Sequence, residues 1–476
     1  MLEDTVNTED QTALGAGQKR VLFSLAVVLI LPTLGMSSIN VLLPTLAEEF
    51  GVGQALVNWV VVAYLLSLTA FILGAGAIGD RVGRKRALRI GISVFCVGSI
   101  VAGLSVNLWM LIAARLFQGI GAALLLSQVF ALASVAMPKR KVGLAMGLLG
   151  TTAAIGTALG PLLSGAMLEW LSWQFTFWLM ILLGGTAYFL IARFLPDDVA
   201  NPPELQRFDV IGSVWLSASC LFYVLAMPSS SSFSLVLHSV FFLFAVAFIY
   251  CFVQSQKRAQ FPLVSLAFLK HRLRNTSLIV SFIVDAIAMS TLVVGPFYLT
   301  YALGLSPVTV GLIVSIGPCI AAVAGYPSGE VVDHFGIAFA MFLGLLMILI
   351  GTISFAILPS LFGLYGYVVA LFLLTPGRQL FLAAHHTFVM TTVAEKEKGM
   401  GSGLINLCKN LGLMTGASLL GGVFSLLLQA KSAALASSAQ LNMAFSLTFL
   451  LAALFVLVSL VAVFVNSRKE GLNSST

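Results

Sequence analysis

The chain has 476 residues, of which 59% are hydrophobic and 9% charged, with a formal net charge of +7. Soluble domains run near ~25% charged residues and disorder needs low hydrophobicity with high charge, so both classes are excluded. At ~20 apolar residues per membrane helix, the apolar content suffices for roughly fourteen spans.

The predicted elements begin after an acidic stretch (Glu3, Asp4, Glu9, Asp10) that ends at Lys19 and Arg20. The apolar run that follows is long enough to span. It lacks a small-residue cleavage site, so it reads as a retained first helix. Hydropathy predicts spans at 21–43, 56–78, 88–106, 109–135, 143–167, 174–195, 210–228, 232–254, 276–300, 308–329, 337–358, 364–390, 400–428 and 442–465. Pro32, Pro161, Pro318 and Pro376 lie inside them, as membrane helices tolerate. Cys96, Cys220, Cys251, Cys319 and Cys408 stand singly in apolar segments. They read as small hydrophobes, with no disulfide or metal spacing.

Charge placement sets the expected orientation. With both termini in the cytoplasm, 21 of the 25 basic residues fall on the cytoplasmic side and only Lys431 falls outside. Arg115, Arg378 and Lys409 remain within spans. An even span number follows, which twelve satisfies as well as fourteen.

An internal repeat favours fourteen. Gly76-Ala-Ile-Gly-Asp80-Arg81-Val-Gly83-Arg84-Lys85-Arg86 lies between spans 2 and 3, and Gly329-Glu-Val-Val-Asp333-His334-Phe-Gly336 between spans 10 and 11. From Asp80 to Asp333 the offset is 253 residues. Span 5 carries Gly156, Gly160 and Gly165, and span 13 carries Gly412, Gly416 and Gly421, offset by 256. An eight-span displacement fits these offsets better than six. The expected architecture is therefore all-α: two six-helix bundles flanking two extra central helices. Its parts are an N-tail (1–20), an N-terminal bundle (21–195), linkers with two inserted helices near 210–228 and 232–254 (196–275), a C-terminal bundle (276–465) and a C-tail (466–476). Parallel repeats of this kind typify alternating-access transporters.

The Asp80–Arg86 loop reads as a conformational latch. Gly83 permits a tight turn, Asp80 suits a helix N-terminus on the opposite bundle, and Arg81 and Arg84 suit pairing across the bundle interface. The positive-inside rule alone accounts for the basic residues, but not for Asp80 or Gly83. Asp333 and His334 echo the loop without its basic run. Gly156, Gly160, Pro161 and Gly165 form a small-residue face that lets helices approach closely, with a proline kink.

Ionisable residues inside a membrane are costly and are read as functional. Asp285 is the only acidic residue well inside a span. It is the leading candidate for proton coupling, with a structural partner to a base as the other reading. Arg378 lies near mid-helix in span 12, and His385 and His386 follow it. A histidine titrates near neutrality, but adjacent helical residues point about 100° apart, so at most one faces a cavity squarely. Lys409 either serves the cavity or snorkels to its mouth. Asn40, Tyr64, Gln118, Gln128 and Tyr298 are further cavity candidates, with Trp59, Phe130 and Phe297 beside them. For each singly, packing in the core or against lipid is the competing reading.

These segments together resemble the major facilitator superfamily, and within it the fourteen-helix drug:proton antiporter branch. Gly76–Leu88 is similar to that family's G-x-L-x-D-R-x-G-R-K-x-x-L, with Ile78 at the Leu position. Arg115-Leu-Phe-Gln118-Gly119-Ile-Gly121-Ala-Ala matches R-x-x-Q-G-x-G-A-A, and Gly156–Gly165 looks like the antiporter motif. Arg207-Phe208-Asp209 and Gly304-Leu-Ser306-Pro307-xxx-Gly311 also look like that branch. The resemblance implies a cavity-facing role for Arg115 in proton or substrate handling; a structural hydrogen bond to Gln118 is the alternative. Lys409 stands where the branch usually has Arg.

Two positions depart from the pattern. Gly35 stands where the branch has Asp in L-D-x-T-x-x-N-x-x-L-P, and Trp173-Gln174-Phe175 stands where W-R-W is common. With three bases and one acid in the spans, the balance favours an anionic, zwitterionic or neutral amphiphile over a dication.

The expected function is proton-coupled efflux of a small amphipathic compound by a multi-pass protein of the inner cell membrane. The expected partners are that compound, protons and lipid, with no nucleic acid, and the protein is expected to be a monomer. Alternatives are symport or facilitated transport of an organic anion and, in another class, a transport-dead sensor or scaffold. No metal cluster, phosphate-binding loop or nucleophile elbow is visible. Neither enzymatic catalysis nor a cofactor is therefore expected, and a proton gradient supplies the energy.

Overall fold

The computed structural model describes residues 15–137, 142–196, 209–227, 235–259, 271–393, 398–428 and 433–473, without the side chains of residues 73, 77, 80, 142–144, 210, 235, 398–400 and 467–473. The expected Asp80 contact therefore lies outside the described residues. So do Lys139, Arg140, Lys141, Arg207, Phe208, Lys270, Lys396 and Lys431, and the side chains of Lys398, Arg468 and Lys469.

The described residues form helices without strands. They are α1 (Ala16–Ser37), α2 (Ile39–Glu49), α3 (Gln54–Val57), α4 (Trp59–Val82), α5 (Arg84–Gly103), α6 (Leu108–Ala136), α7 (Val142–Trp170), α8 (Gln174–Phe194), α9 (Val210–Leu225) and α10 (Leu235–Arg258). They continue as α11 (Arg272–Phe297), α12 (Pro307–Phe335), α13 (Ile337–Thr391), α14 (Lys398–Thr415), α15 (Gly421–Leu427) and α16 (Ser438–Asn473). Short π-helical segments, Tyr298–Ala302 and Gly416–Leu420, extend α11 and join α14 to α15. Twelve helical stretches are long and apolar enough to cross a membrane. Large apolar side chains such as Phe189, Val236 and Val323 stand on the outer surface, which only lipid accommodates in such number.

Helix α13 is two helices in space. Its 55 residues would run about 80 Å at ~1.5 Å per residue, far beyond the ~30 Å hydrocarbon core. Gly363 breaks it with φ 54° and ψ −127°, a backbone region that favours glycine. The chain then doubles back: Gly351 lies against Leu374, Gly344 against Gly377, and the rings of Phe355 and Tyr367 meet at 5.1 Å.

The repeat seen in the sequence is also a repeat of packing. Gly91 of α5 lies against Gly121 of α6, and Gly344 lies against Gly377 in the two arms of α13. Gly98 lies against Gln118, and Gly351 against Leu374. Gly156 and Gly160 of α7 press on α1 at Thr33 and Ser37, and Gly412 and Gly416 press on α11 at Phe282 and Ala286. Gly83 and Gly336 make the same turn, with φ of 99° and 83°. Small residues at these crossings let the helix backbones touch, as membrane helices require when lipid gives no hydrophobic drive.

Helices α9 and α10 pair through stacked rings, Trp215 on Phe248 and Phe222 on Phe248. Asp209 caps α9 by accepting from the Gly212 N–H at 2.8 Å, and it accepts from Gln256 Nε2 of α10 at 2.6 Å. The pair docks through Ser217, which donates to the Ala70 carbonyl of α4, and through Tyr223, hydrogen-bonded to Thr415 of α14 at 2.7 Å.

Candidate functional site: a central cavity with one buried ion pair

A cavity of about 720 Å³ lies at the centre, lined by α1, α4, α6, α7, α11, α12, α13 and α14. Its apolar wall includes Leu29, Ile72, Leu126, Phe130, Tyr367 and Leu371. Its polar wall holds Arg378, Gln379, Ser402, Asn406, Lys409 and Asn410. The last four form a stripe on α14 at helical spacing.

Helices α7 and α12 close one end. Gly165 lies against the Pro307 carbonyl, Gly311 against the Pro161 carbonyl, and Ser315 donates to the Ala158 carbonyl at 2.7 Å. Glu169 Oε2 accepts from the Val308 N–H at 3.0 Å. Beside them, Asn58 at the start of α4 donates to Ala417 O in the second π segment. Toward the other end of the same two helices, Gly147, Gly150, Gly325 and Gly329 meet no neighbouring atoms.

Asp285 is fully buried, and its Oδ1 accepts from Arg378 Nη2 at 2.6 Å. Asp285 is outside the cavity lining, while Arg378 is 19% exposed and within it. Among the described residues, Asp285 Oδ2 and Arg378 Nε have no hydrogen-bond partner. Lys409 is exposed on the cavity wall and lies in electrostatic reach of both Asp285 and Arg378. His386 is also exposed, in reach of the same three groups. His385 points away: it is buried, its Nδ1 meets Ser277 Oγ at 2.5 Å, and its Nε2 is unpartnered. Ser277, Ser281 and Asp285 share one face of α11 at four-residue spacing, and Ser281 Oγ is also buried without a partner.

The other candidates lie outside this lining. Arg115 is buried and fully engaged. It donates to Val60 O at 3.1 Å, Gly35 O at 2.9 Å and Gln118 Oε1 at 2.7 Å, and it sits over the Tyr64 ring at 4.3 Å. It thus ties α1, α4 and α6 together. Gln118 donates to Ser99, Gln128 to Ala75 O, Tyr64 to Pro32 O, Asn40 to Ser37 O and Tyr298 to Asn442. Trp59 and Phe297 are likewise outside the lining, and Phe130 is within it. At Gly35 a Cβ would stand 2.8 Å from Phe95 Cζ. Trp173 is buried and donates to Glu49 at 2.5 Å.

Two of the described latch residues reach backbone carbonyls. Arg84 donates to Ala131 O at 3.1 Å and Lys85 to Leu195 O at 2.6 Å, the carbonyls near the ends of α6 and α8. Cations suit those helix C-termini. Arg81 and Asp333 are exposed. Missed by the sequence reading were Gln379, Ser402, Asn406 and Asn410. For three of them the signal was available: on α14, Ser402, Asn406 and Asn410 recur with Lys409 at i, i+4, i+7 and i+8, the spacing of one helical face; Gln379 lies on α13 beside Arg378.

A multi-pass helical protein enclosing a polar cavity between repeated helix sets is built like a transporter. The sequence matches the model of the Major Facilitator Superfamily over residues 25–417 and 277–475. The chain belongs to that superfamily. It is 27% identical over 407 residues to the riboflavin transporter RibZ of Clostridioides difficile (strain 630), covering 85% of this chain and 88% of that protein. It is 30% identical over 392 residues to the drug efflux pump JefA of Mycobacterium tuberculosis, covering 81% and 76%. Among solved structures, the nucleoside transporter NupG shares its fold with a TM-score of 0.68 at 13% identity, covering 94% of this chain and 99% of that one. A bacterial homologue of the lysosomal transporter Spinster, solved inward-facing, gives 0.66 at 14% identity, covering 96% and 98%.

Proposed function

We propose that this protein is a secondary active transporter that carries small amphipathic compounds by alternating access, coupled to protons through Asp285. One observation carries the reading: a fully buried carboxylate whose ion-pair partner, Arg378, lines the central cavity. A proton on Asp285 removes the pair's charge attraction, and the change is transmitted to the cavity wall by the arginine. Buried charges break even only while paired, so the pair is a two-state element.

The topology proposed with it has fourteen crossings. To the twelve apolar stretches, α13 adds one by counting twice and α9, short at 16 residues, adds the other. Residues 21–195 and 276–465 form the two bundles, with 196–275 between them. The 21-to-1 placement of basic residues supports both ends in the cytoplasm. The setting is the inner cell membrane and the unit is a monomer. The protein acts as a carrier rather than an enzyme, without cofactor or nucleic acid. The close contact of α7 with α12 supports rocking about the Gly156–Gly165 face.

Two coupling modes fit. Exchange for protons draws on the efflux relatives. Co-transport of an organic anion draws on the two cations of the cavity wall. In proteoliposomes, an imposed proton gradient drives counterflow of cargo, with riboflavin and a cationic dye as first probes. Asp285→Asn abolishes the gradient's effect. Full gradient-driven transport by this variant removes Asp285 from the coupling role.

A further inference from the structure

We propose that the cavity takes an amphiphile bearing one anionic group, a carboxylate, sulfonate or phosphate, held between Arg378 and Lys409, and that a proton on Asp285 and this anion bind together. The inference rests on the coupling role of Asp285 and adds the class of cargo and the sign of the coupling.

Charge balance comes first. Arg378 and Lys409 line the cavity, and among the described residues the lining contains no Asp or Glu. Asp285 offsets one of the two cations, from behind the wall. Lys409 donates no hydrogen bond among the described residues and interacts there only through the fields of Asp285, Arg378 and His386. Lys409 therefore faces the cavity with no counter-ion in contact, and an anion entering the cavity supplies one. Arg378 also has capacity to spare. A guanidinium carries five N–H donors in a fork that matches oxyanions, and Asp285 takes one of them through a single oxygen. The apolar wall of Leu29, Ile72, Leu126, Phe130, Tyr367 and Leu371 suits the body of the same molecule.

The sign follows from the shared arginine. Ionised, Asp285 draws Arg378 toward the wall and competes with the cargo for it. Protonated, Asp285 loses the charge that holds Arg378, and the guanidinium turns to the cargo's oxygens. Linkage is reciprocal, so proton and anion favour each other's binding. Proton and anion therefore load into the same state and cross together. The charged or titratable groups facing Asp285 are Arg378 and His386 from α13 and Lys409 and Cys408 from α14. A proton on His386 would likewise favour an anion, so its contribution must be separated.

The test uses the full chain in lipid nanodiscs with naphthalene-2-sulfonate, which stays ionised at all working pH values, and the matching 2-naphthyl-trimethylammonium ion. Calorimetry from about pH 3.5 to 7.5, which spans the ordinary carboxyl range, should show the sulfonate binding about tenfold tighter at the acid end, the scale of one charged hydrogen bond. The trimethylammonium ion should bind at least about tenfold more weakly. Asp285→Asn should bind the sulfonate tightly at both ends, His386→Gln should keep the pH dependence, and Arg378→Gln should lose most of the affinity. Tighter binding of the trimethylammonium ion, or a sulfonate affinity in the unaltered protein that is flat with pH, overturns the proposal without recourse to any variant. Gradient-driven transport that persists when the sulfonate fails to bind overturns the anion assignment and leaves proton coupling at Asp285 standing. Transport that ignores Asp285→Asn overturns both.

Discussion

Arg378 reaches Asp285 through one nitrogen and one oxygen, 93 residues apart in the chain and 2.6 Å apart in space. Among the described residues, the second carboxylate oxygen and the Nε of the guanidinium are left without partners. Loss of the pair should therefore be visible in stability as well as in transport. Arg378→Ala strands an uncompensated carboxylate, which costs about 3–5 kcal/mol in buried pairs. The cost is present while Asp285 is ionised and is relieved as pH falls, because a neutral carboxyl needs no cation. Thermal unfolding of Arg378→Ala should show a depressed Tm at neutral pH that recovers toward the unaltered protein on acidification. The double variant Asp285→Asn/Arg378→Gln should melt near the unaltered protein at every pH.

The buried polar line on α11 makes a second prediction. Asp285 is sealed from the cargo cavity, and Ser281 Oγ and His385 Nε2 are the buried unpartnered atoms on its route toward Ser277. Ser281→Ala removes a hydroxyl and little volume. It should slow proton uptake during gradient-driven counterflow by several-fold, while proton-independent cargo exchange stays unchanged. A pH-sensitive dye inside the vesicles follows the first rate and labelled cargo the second. Equal slowing of both rates would point to a packing defect instead.

Much of the architecture was legible because it rests on local rules. Charge placement, the paired turn glycines Gly83 and Gly336, and the glycine spacing of α7 and α14 are all one-dimensional signals. Asp285 stood out as the one acid deep in a span. Its partner did not, because Arg378, Arg115 and Lys409 look alike in sequence, and only the crossing of α11 with the second arm of α13 selects between them. Arg115 shows the same limit from the other side. Its donors go mainly to the backbone carbonyls of Gly35 and Val60, acceptors that every residue carries, so no motif could announce them. Tyr64, Gln118 and Gln128 look like cavity residues as types, yet each spends its polar atom inside the helix packing.

The closed end of the cavity depends on backbone contact between α7 and α12. A Cβ at Gly311 would press on the Pro161 carbonyl and stand 3.4 Å from Gly165 Cα. Backbone cannot yield as a side chain can, so Gly311→Ala should cost the closed end about 1–3 kcal/mol, as overpacking does. A near-balanced two-state equilibrium then shifts by about tenfold. Spin labels at Leu171→Cys and Leu312→Cys, both on exposed positions, should report a new long-distance population by pulsed electron resonance. An unchanged distance distribution would show that this contact does not set the equilibrium.

Gly35 raises the last question, whether the missing first-helix carboxylate has been replaced or merely lost. A Cβ at this position would stand 2.8 Å from Cζ and 3.2 Å from Cε2 of Phe95. Phe95 is itself fully buried, so its ring occupies the space a side chain at 35 needs. Gly35→Asp should therefore destabilise the protein by about 1–3 kcal/mol through overpacking, despite the cation of Arg115 nearby. Phe95→Ala alone should cost about 3–5 kcal/mol through its cavity. Together they should cost less than their sum by at least about 1 kcal/mol, because each change accommodates the other. A double-mutant cycle on thermal unfolding measures that coupling. Strict additivity would mean the ring does not fill the carboxylate's place, and the absence of Asp at position 35 would then lack a packing cause.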